Sequence, residues 1–172
     1  GIHLCLVARD AESLKEICGK VNRSGIKSLP ITCDLAEPTA PGNIVDQTVA
    51  HFGQLDILIN NAGVALNSPI EQVDASTLDA LMAVNARAPF LLCSQAVPHL
   101  RKSRRGSIIN IASVAAHKGY LHEAAYAASK HALLGLTKVL AKELQPDDIR
   151  VHAVSPGGVD TPMIDQVRPE VD

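Results

Sequence analysis

Apolar residues occur along the chain in two alternating arrangements, short continuous runs and longer stretches with one apolar face. The short runs have the near-continuous apolar character of strands that are buried on both faces of a parallel sheet. They predict strands at residues 2–8, 29–33, 55–59, 107–111 and 149–154. The longer stretches predict helices at residues 11–22, 43–52, 76–102 and 124–144. Asp10 is placed to cap the first helix, and Pro89 and Pro98 mark irregular points in the third.

This regular alternation of strand and helix predicts an α/β fold, a doubly wound, Rossmann-like parallel sheet with helices on both faces. Ligands of such folds bind outside the carboxyl ends of the strands, so we expect the functional site at that edge of the sheet. No internal repeat or interdomain linker interrupts the pattern. Residues 1–172 are therefore predicted to belong to a single domain.

Composition narrows the class of protein. The 172 residues are 47% hydrophobic and 20% charged, which is typical of a globular domain. A formal net charge of -2 argues against a nucleic-acid partner, because nucleic-acid-binding domains carry a basic face. The four cysteines include no C-x-x-C pair, and the sequence shows no run of eighteen apolar residues and no charged leader. We expect a reduced, cytoplasmic protein without a membrane span, and no motif predicts a metal site.

Tyr126 and Lys130 carry the clearest chemical signal in the sequence. Their spacing of four residues places the phenol and the ammonium on one face of the predicted helix, about 40° apart. A phenol has a pKa of about 10, and a neighbouring cation favours the phenolate and lowers that value. The pair is therefore predicted to transfer protons near neutral pH. The same spacing also occurs by chance on amphipathic helices, so the interpretation depends on the surrounding motifs.

These motifs follow one another in a fixed order. The segment Asn-Asn-Ala-Gly at 60–63 comes after the third predicted strand, and Ser113 comes after the fourth, thirteen residues before Tyr126. With these motifs in place, the sequence resembles the short-chain dehydrogenase/reductase family over nearly its whole length. Within that family it is most similar to 3-oxoacyl-[acyl-carrier-protein] reductases, through residues 126–144 and the Pro-Gly segment at 156–157.

The resemblance implies a role for each residue of a proton-transfer site. Tyr126 would exchange a proton with the oxygen of a carbonyl or a secondary alcohol, and Ser113 would donate a hydrogen bond to the same oxygen. Lys130 would lower the pKa of Tyr126 and bind the ribose of the nicotinamide. Asn85 would interrupt its helix and hold a water in a proton path to Lys130. As isolated residues, Ser113 and Asn85 are more typical of a strand-end turn and of the polar face of a helix.

The resemblance also implies a nicotinamide cofactor along the carboxyl ends of the strands. Asp34 and Leu35 would contact the adenine, although an ordinary loop position explains Asp34 equally well. Gly63 would permit close backbone approach. Val159 would bind the carboxamide through its backbone, and Thr161 would bind it, or the phosphates, through its hydroxyl. The other implied cofactor contacts are Asn61, Ala62, Tyr126, Lys130, Pro156 and Gly157, of which the last two are also common loop residues.

By the same resemblance, the end of the first predicted strand bears on the choice between NADP and NAD. An acidic residue at this position binds the ribose 2'-hydroxyl of NAD, whereas an Arg accommodates the 2'-phosphate of NADP. Ala8 occupies the acidic position and Arg9 follows it. Because a guanidinium suits a phosphate well, NADP is the predicted cofactor. Asp10 is expected to cap the helix and not to bind the ribose.

Two parts of the family pattern are missing from the sequence. No G-x-G triplet is present, although the backbone of such a turn binds the pyrophosphate of the cofactor. The first predicted strand aligns with the family's second, so the family's first strand, glycine loop and first helix are predicted to be absent. The family's final strand is predicted to be absent as well. A parallel sheet that lacks a central strand leaves backbone groups unpaired and apolar faces open.

Two functional hypotheses follow. The first is a parent oxidoreductase that uses NADP and acts on a small-molecule carbonyl or alcohol. The second is a non-catalytic fragment or an assembly module that does not bind cofactor. The family commonly pairs subunits through its two long helices, here 76–102 and 124–144, which predicts a homodimer or homotetramer. Titration with NADPH distinguishes the hypotheses, since saturable binding supports the enzyme.

Overall fold

The computed structural model of the protein describes residues 2–161 and 163. These residues alternate between strands and helices as predicted, and every strand pair is parallel. The strands are β1 (Leu4–Ala8), β2 (Ser28–Thr32), β3 (Ile57–Asn60), β4 (Ser107–Ile111) and β5 (Arg150–Val154). The helices are α1 (Ala11–Arg23), α2 (Ala40–Phe52), α3 (Ala75–Met82), α4 (Ala88–Leu100) and α5 (Ala124–Glu143). The predicted α/β fold is confirmed.

Helix starts are set by local capping. The Asp10 carboxylate accepts a hydrogen bond of 2.6 Å from the Ser13 backbone N–H, which confirms Asp10 as the cap of α1. Asp74 caps α3 in the same way, accepting from the Thr77 N–H at 2.7 Å. The second helix begins three residues before the predicted position 43, because Pro41 fits the first turn, where its missing N–H leaves no hydrogen bond unmade.

The helix predicted over 76–102 is present as a helical run at Ala75–Leu100, but it is not a regular α-helix throughout. The stretch consists of α3, a π-helical segment at Ala83–Arg87, and α4. The irregularity precedes Pro89, which lies in the first turn of α4 and is tolerated there. Single-turn π segments are frequent at functional sites. Asn85 lies in the middle of this one.

The parallel sheet is divided into two parts. One part has the order β1-β2 and the other the order β3-β4-β5, and the described residues show no strand pairing between β1 and β3. A single apolar cluster nevertheless includes residues of both parts and of the helices over them. Its buried members include Ile31, Val45, Leu92, Ile108 and Val151. Side-chain packing, and not backbone hydrogen bonding, joins the two parts, as expected for a sheet that lacks one central strand.

One face of the β3–β4–β5 sheet is open in the described part of the chain. Ile108 is fully buried in the apolar cluster, whereas Ile57 and Ile59 on β3 are 44% and 57% exposed and Val154 on β5 is also exposed. We call Ile57, Ile59 and Val154 the open sheet face. The prediction that helices cover both faces therefore holds here for one face only, because α2, α4 and α5 pack on the same apolar cluster.

The stretch Ala75–Leu100 is long and apolar enough to cross a membrane if length and composition alone are considered. Its second half is a core helix, since Leu92, Cys93, Ala96 and Leu100 are all buried within the domain. Core helices of globular proteins commonly have this composition. The stretch therefore does not indicate a membrane protein.

Candidate active site

The ends of β4 and β5 are joined by backbone hydrogen bonds that bring two predicted loops together. The Ala112 N–H donates to the Val154 carbonyl at 2.8 Å, and the Val114 N–H donates to the Pro156 carbonyl at 3.0 Å. Ser113 lies between these two links. The loop that begins at Pro156 is therefore fixed beside Ser113 at the carboxyl edge of the sheet.

Ser113 is held with its hydroxyl proton available. The residue is buried, and its Oγ accepts a hydrogen bond of 3.1 Å from the Ala115 N–H at the start of a short 3-10 turn, Val114–Ala116. A hydroxyl that accepts in this way still has its own proton to donate. The Ser113 hydroxyl also interacts with the phenol of Tyr126, whose pKa it lowers. The two hydroxyls predicted to bind one substrate oxygen are therefore neighbours.

Lys130 lies on the buried face of α5 and is only 5% exposed. Its Nζ donates a hydrogen bond of 2.9 Å to the Ile111 carbonyl at the end of β4 and lies 5.8 Å from the centre of the Tyr126 ring. Burial disfavours the ammonium and lowers the pKa of Lys130 to about 8. The side chain thus stays mostly charged at neutral pH, although its pKa lies only slightly above that pH.

The pKa of Tyr126 is raised, which contradicts the expectation that Lys130 lowers it. Desolvation of the half-buried phenol is the largest cause, and the negative charge of Glu123 adds to it, while the Ser113 hydroxyl acts in the opposite direction. The Lys130 ammonium is bonded to the Ile111 carbonyl and does not offset this burial. The described residues therefore form a site in which Tyr126 is a protonated phenol.

Asn85 is fully buried and bonds the loop that follows β3. Its Oδ1 accepts from the Val64 N–H at 2.9 Å, and its Nδ2 donates to the Val64 carbonyl at 2.8 Å. Gly63 lies against this amide. A Cβ at position 63 would be 3.4 Å from Lys130 Nζ, which is ordinary contact, but 3.3 Å from Asn85 Oδ1, so the amide would have to shift by a few tenths of an ångström.

Sequence reasoning missed Ser129. This side chain has no exposed surface, and its Oγ lies 3.0 Å from Asn85 Nδ2 and donates to the Tyr126 carbonyl at 2.7 Å. The sequence offers only its place directly before Lys130 as a signal, and its burial on α5 is known from the structure.

The other predicted cofactor contacts lie in exposed loops at strand ends. Asn61 and Ala62 follow β3 and are exposed. The exposed hydroxyl of Thr161 donates to the Val159 carbonyl at 3.3 Å, in the loop that contains Gly157. All of these residues belong to the β3–β4–β5 part of the sheet.

Arg9, Asp34 and Leu35 lie on the β1–β2 part of the sheet instead. Arg9 is exposed just after β1. The Asp34 carboxylate accepts from the Ala36 N–H at 2.8 Å, and Leu35 packs against the shared apolar cluster. The structure thus brings Ser113, Tyr126, Lys130, Asn85 and Gly63 together, whereas these three residues form a separate group.

The residues present fit part of a nicotinamide cofactor. Gly63 provides a space without a side chain beside the Lys130 ammonium, which suits the ribose and ring end of the molecule. A pyrophosphate requires several backbone N–H groups at a glycine turn that opens a helix, and the sequence contains no such G-x-G turn. The fit is therefore limited to the nicotinamide half and to the adenine-side loop.

Comparison with known proteins agrees with this geometry. Residues 1–172 match the family described as short chain dehydrogenase. The chain belongs to this family. It is 32% identical to the 3-oxoacyl-[acyl-carrier-protein] reductase FabG of Thermotoga maritima over 168 residues, covering 91% of this chain and 68% of that protein.

Solved structures of the short-chain dehydrogenase family share the fold. A metagenomic short-chain oxidoreductase in complex with NADP superposes with a TM-score of 0.87 and 36% identity, covering 92% of this chain and 72% of that one. Carveol dehydrogenase from Mycobacterium avium, in complex with NAD, superposes with a TM-score of 0.89 and 27% identity. The match covers 94% of this chain and 64% of that one. Members of the family thus bind either nicotinamide cofactor.

The chain spans 60%, 68% and 62% of the length of three curated relatives that it matches. The sequence thus corresponds to about two thirds of a family member. This agrees with the divided sheet and with the predicted absence of the first and final strands of the family.

Proposed function

We propose that the protein containing this chain is an NADP-dependent oxidoreductase that interconverts a carbonyl and a secondary alcohol of a small molecule. The observation that carries the proposal is the meeting of the Tyr126 phenol and the Ser113 hydroxyl beside the buried Lys130 ammonium. The likeness to a 3-oxoacyl reductase supports a carbonyl substrate.

In the direction of reduction, the Ser113 O–H donates a hydrogen bond to the carbonyl oxygen and orients it. Tyr126 transfers its phenolic proton to the same oxygen as the carbonyl carbon gains a hydride. When bound, the nicotinamide supplies that hydride, and Asn61, Ala62, Gly63 and the 156–161 loop would hold it. The reverse transfers oxidise the alcohol.

The raised pKa of Tyr126 suits this proton donor, because the phenol is fully protonated before transfer. The phenolate that forms is partly buried and needs a nearby positive charge. Lys130 provides it, 5.8 Å from the ring centre, without any change in the fold. In this proposal Lys130 stabilises the product of proton transfer and does not lower the resting pKa of the phenol.

Replacing the phenol tests the proposal. In the complete protein, Tyr126→Phe is expected to lower kcat by about 100-fold to 10,000-fold, because a general acid contributes on this scale. Tyr120→Phe is the matched control, since Tyr120 is the only other tyrosine and is exposed. Steady-state kinetics of the two variants tests whether Tyr126 is the proton donor. Retained turnover in Tyr126→Phe refutes this assignment.

NADP is the proposed cofactor because the exposed Arg9 follows β1 and no carboxylate occupies position 8. Arg9→Ala in a cofactor-binding form is expected to reduce the preference for NADPH over NADH by about 10-fold or more, through loss of a charge-assisted phosphate contact. Arg23→Ala, at the far end of α1, is the control and should leave the preference unchanged. An unchanged preference in Arg9→Ala overturns the choice of NADP.

A second candidate is a non-catalytic piece that assembles with other subunits. The division of the sheet between β1 and β3 favours it, because the pyrophosphate site of the family lies at such a junction. Titration of the 172-residue chain with NADPH, followed by fluorescence, separates the candidates. Saturable binding supports cofactor use by this chain, whereas no binding supports the assembly piece.

The pairing of subunits is proposed to use the groove between α3–α4 and α5, as a homodimer or homotetramer. Met82, Phe90 and Leu136 line this groove of about 590 Å³, and we call it the helix-pair groove. Phe90 is 57% exposed there. Large exposed aromatic side chains are typical of subunit interfaces.

A further inference from the structure

Ser129 connects two elements of the proposed site that are distant in sequence. Asn85 lies in the π-helical segment and Ser129 lies in α5, and neither side chain has any exposed surface. Their side chains are hydrogen-bonded at 3.0 Å. Since both groups are excluded from water, each needs its partner inside the protein.

The donors and acceptors of this pair fix the orientation of the Asn85 amide. Ser129 has one hydroxyl proton and donates it to the Tyr126 carbonyl at 2.7 Å, so its Oγ faces Asn85 as an acceptor. Asn85 must therefore present an N–H to Ser129. Its second N–H bonds the Val64 carbonyl and its Oδ1 accepts the Val64 N–H. Rotation of the amide by 180° would place oxygen against oxygen.

The fixed amide also borders the space beside Gly63. A Cβ at position 63 would be 3.3 Å from Asn85 Oδ1 and 3.4 Å from Lys130 Nζ, so both side chains adjoin this position. Because the amide cannot rotate, its oxygen and not its nitrogen faces this space. The orientation of Asn85 thus helps to define the surroundings of Gly63 and Lys130.

We propose that Ser129 is a positioning residue of this site, whose hydroxyl holds the Asn85 amide and ties the π-helical segment to the turn of α5 that carries Tyr126 and Lys130. The inference rests on the proposed function for its catalytic consequence. Its structural part concerns only hydrogen bonds of this chain.

Hydrogen exchange of the Asn85 side-chain amide, followed by NMR on the 172-residue chain, tests the positioning directly. In the wild type the two N–H signals are expected to exchange slowly. Ser129→Ala removes one partner and is expected to accelerate exchange by about 10-fold. Ser129→Thr keeps the hydroxyl and is expected to keep the slow exchange.

Thr137→Ala provides a matched control. Thr137 is another buried hydroxyl of α5, which donates to the Leu133 carbonyl at 2.8 Å and accepts from Asn110 Nδ2 at 2.8 Å. Its loss is expected to leave the exchange of the Asn85 amide unchanged. Equal exchange in wild type and Ser129→Ala, or fast exchange in the wild type itself, overturns the proposal.

The catalytic consequence is measured in the complete protein. Ser129→Ala is expected to lower kcat by about 10-fold to 100-fold, because the groups that Ser129 holds are then misplaced. The KM for the cofactor is expected to stay nearly unchanged. If Tyr126→Phe keeps turnover while Ser129→Ala still accelerates exchange, the proposed function fails and the positioning stands. If Tyr126→Phe is inactive while Ser129→Ala changes neither exchange nor kcat, the role of Ser129 is wrong.

Discussion

At the scale of single residues, the fold moves Lys130 far from its behaviour in water. Its ammonium is buried and donates a hydrogen bond to the Ile111 carbonyl. Burial of a charge disfavours the charged form, which explains a pKa of about 8. The protein therefore gives up some stability to keep a cation beside Tyr126.

This cost predicts an unusual dependence of stability on pH. The pKa of Lys130 is about 8 in the folded protein, below its usual value of 10.5, so the unfolded chain binds more protons between these two values. Stability should therefore rise with pH in this range, by up to about 1.4 kcal/mol per pH unit from this group alone. Urea unfolding at pH 7.5 to 10 measures the effect, as the difference between wild type and Lys130→Met.

The control for this prediction is Lys138→Met, which removes an exposed lysine of the same helix. The free energies of unfolding of Lys138→Met and wild type should run parallel over the pH range. The difference between Lys130→Met and wild type should narrow or reverse as the pH rises through 8. A constant difference would contradict the lowered pKa.

The residues of the site were predictable to different degrees. Tyr126, Lys130 and Ser113 could be singled out because their spacing and strand-end positions are visible in the sequence. The direction of the Tyr126 pKa could not, since it depends on burial and on Glu123, which only the packed structure brings near. Ser129 was missed for the same reason, because a serine in a helix shows no partner until the π-helical segment is in place.

At the scale of elements, close packing at helix ends limits which residues are allowed. Gly106 lies in the turn between α4 and β4 and is buried. A Cβ there would be 2.9 Å from the Leu100 carbonyl oxygen and 2.9 Å from Ile149 Cγ1. The backbone oxygen cannot move without shifting the end of α4.

The same substitution should therefore have opposite effects at two glycines. Gly106→Ala is expected to destabilise the protein by about 1–3 kcal/mol or more through overpacking. Gly135→Ala, in α5 where a Cβ meets nothing within 4 Å, is expected to stabilise it by about 0.5–1 kcal/mol through helix propensity. Thermal unfolding of the two variants measures the difference. Equal effects would show that the turn after α4 relaxes freely.

Element boundaries could be predicted where a capping residue marks them. Asp10 indicated the start of α1 correctly. The sequence pattern marked Pro89 and Pro98 as irregular points, whereas the family resemblance implied that Asn85 interrupts its helix. The π-helical segment lies at Ala83–Arg87, around Asn85, whose side chain bonds the loop after β3. The Asn85 hydrogen bonds at this segment are tertiary contacts, which helix propensity does not describe.

At the scale of the whole molecule, the strand pattern predicted the α/β class, and the family resemblance implied the missing central strand. The described residues show a divided sheet, which agrees with that expectation, and an open sheet face. The joining of the two parts could not be predicted, because it depends on Ile31 and Val151 reaching one apolar cluster from different sheets. Periodicity identifies an apolar face but not what covers it.

Two apolar surfaces of the molecule should therefore associate in different ways. The helix-pair groove is bounded by two helices and presents Phe90, so it should give a discrete dimer or tetramer. The open sheet face presents Ile57 and Ile59 beside an edge of β3 that pairs with no other strand in the described part of the chain, and such edges give association without a fixed size.

Sedimentation velocity of the 172-residue chain at several concentrations separates the two surfaces. Phe90→Asp places a charge in the helix-pair groove and is expected to convert the discrete oligomer to monomer. The double variant Ile57→Lys, Ile59→Lys is expected to remove the larger, polydisperse species and to leave the discrete oligomer, because the charges lie on the other surface. Since Phe90 and the two isoleucines are already exposed, neither variant should lower the free energy of unfolding by more than about 1 kcal/mol. A wild type that is monomeric at every concentration, or a discrete oligomer that survives Phe90→Asp, would exclude pairing through the helix-pair groove.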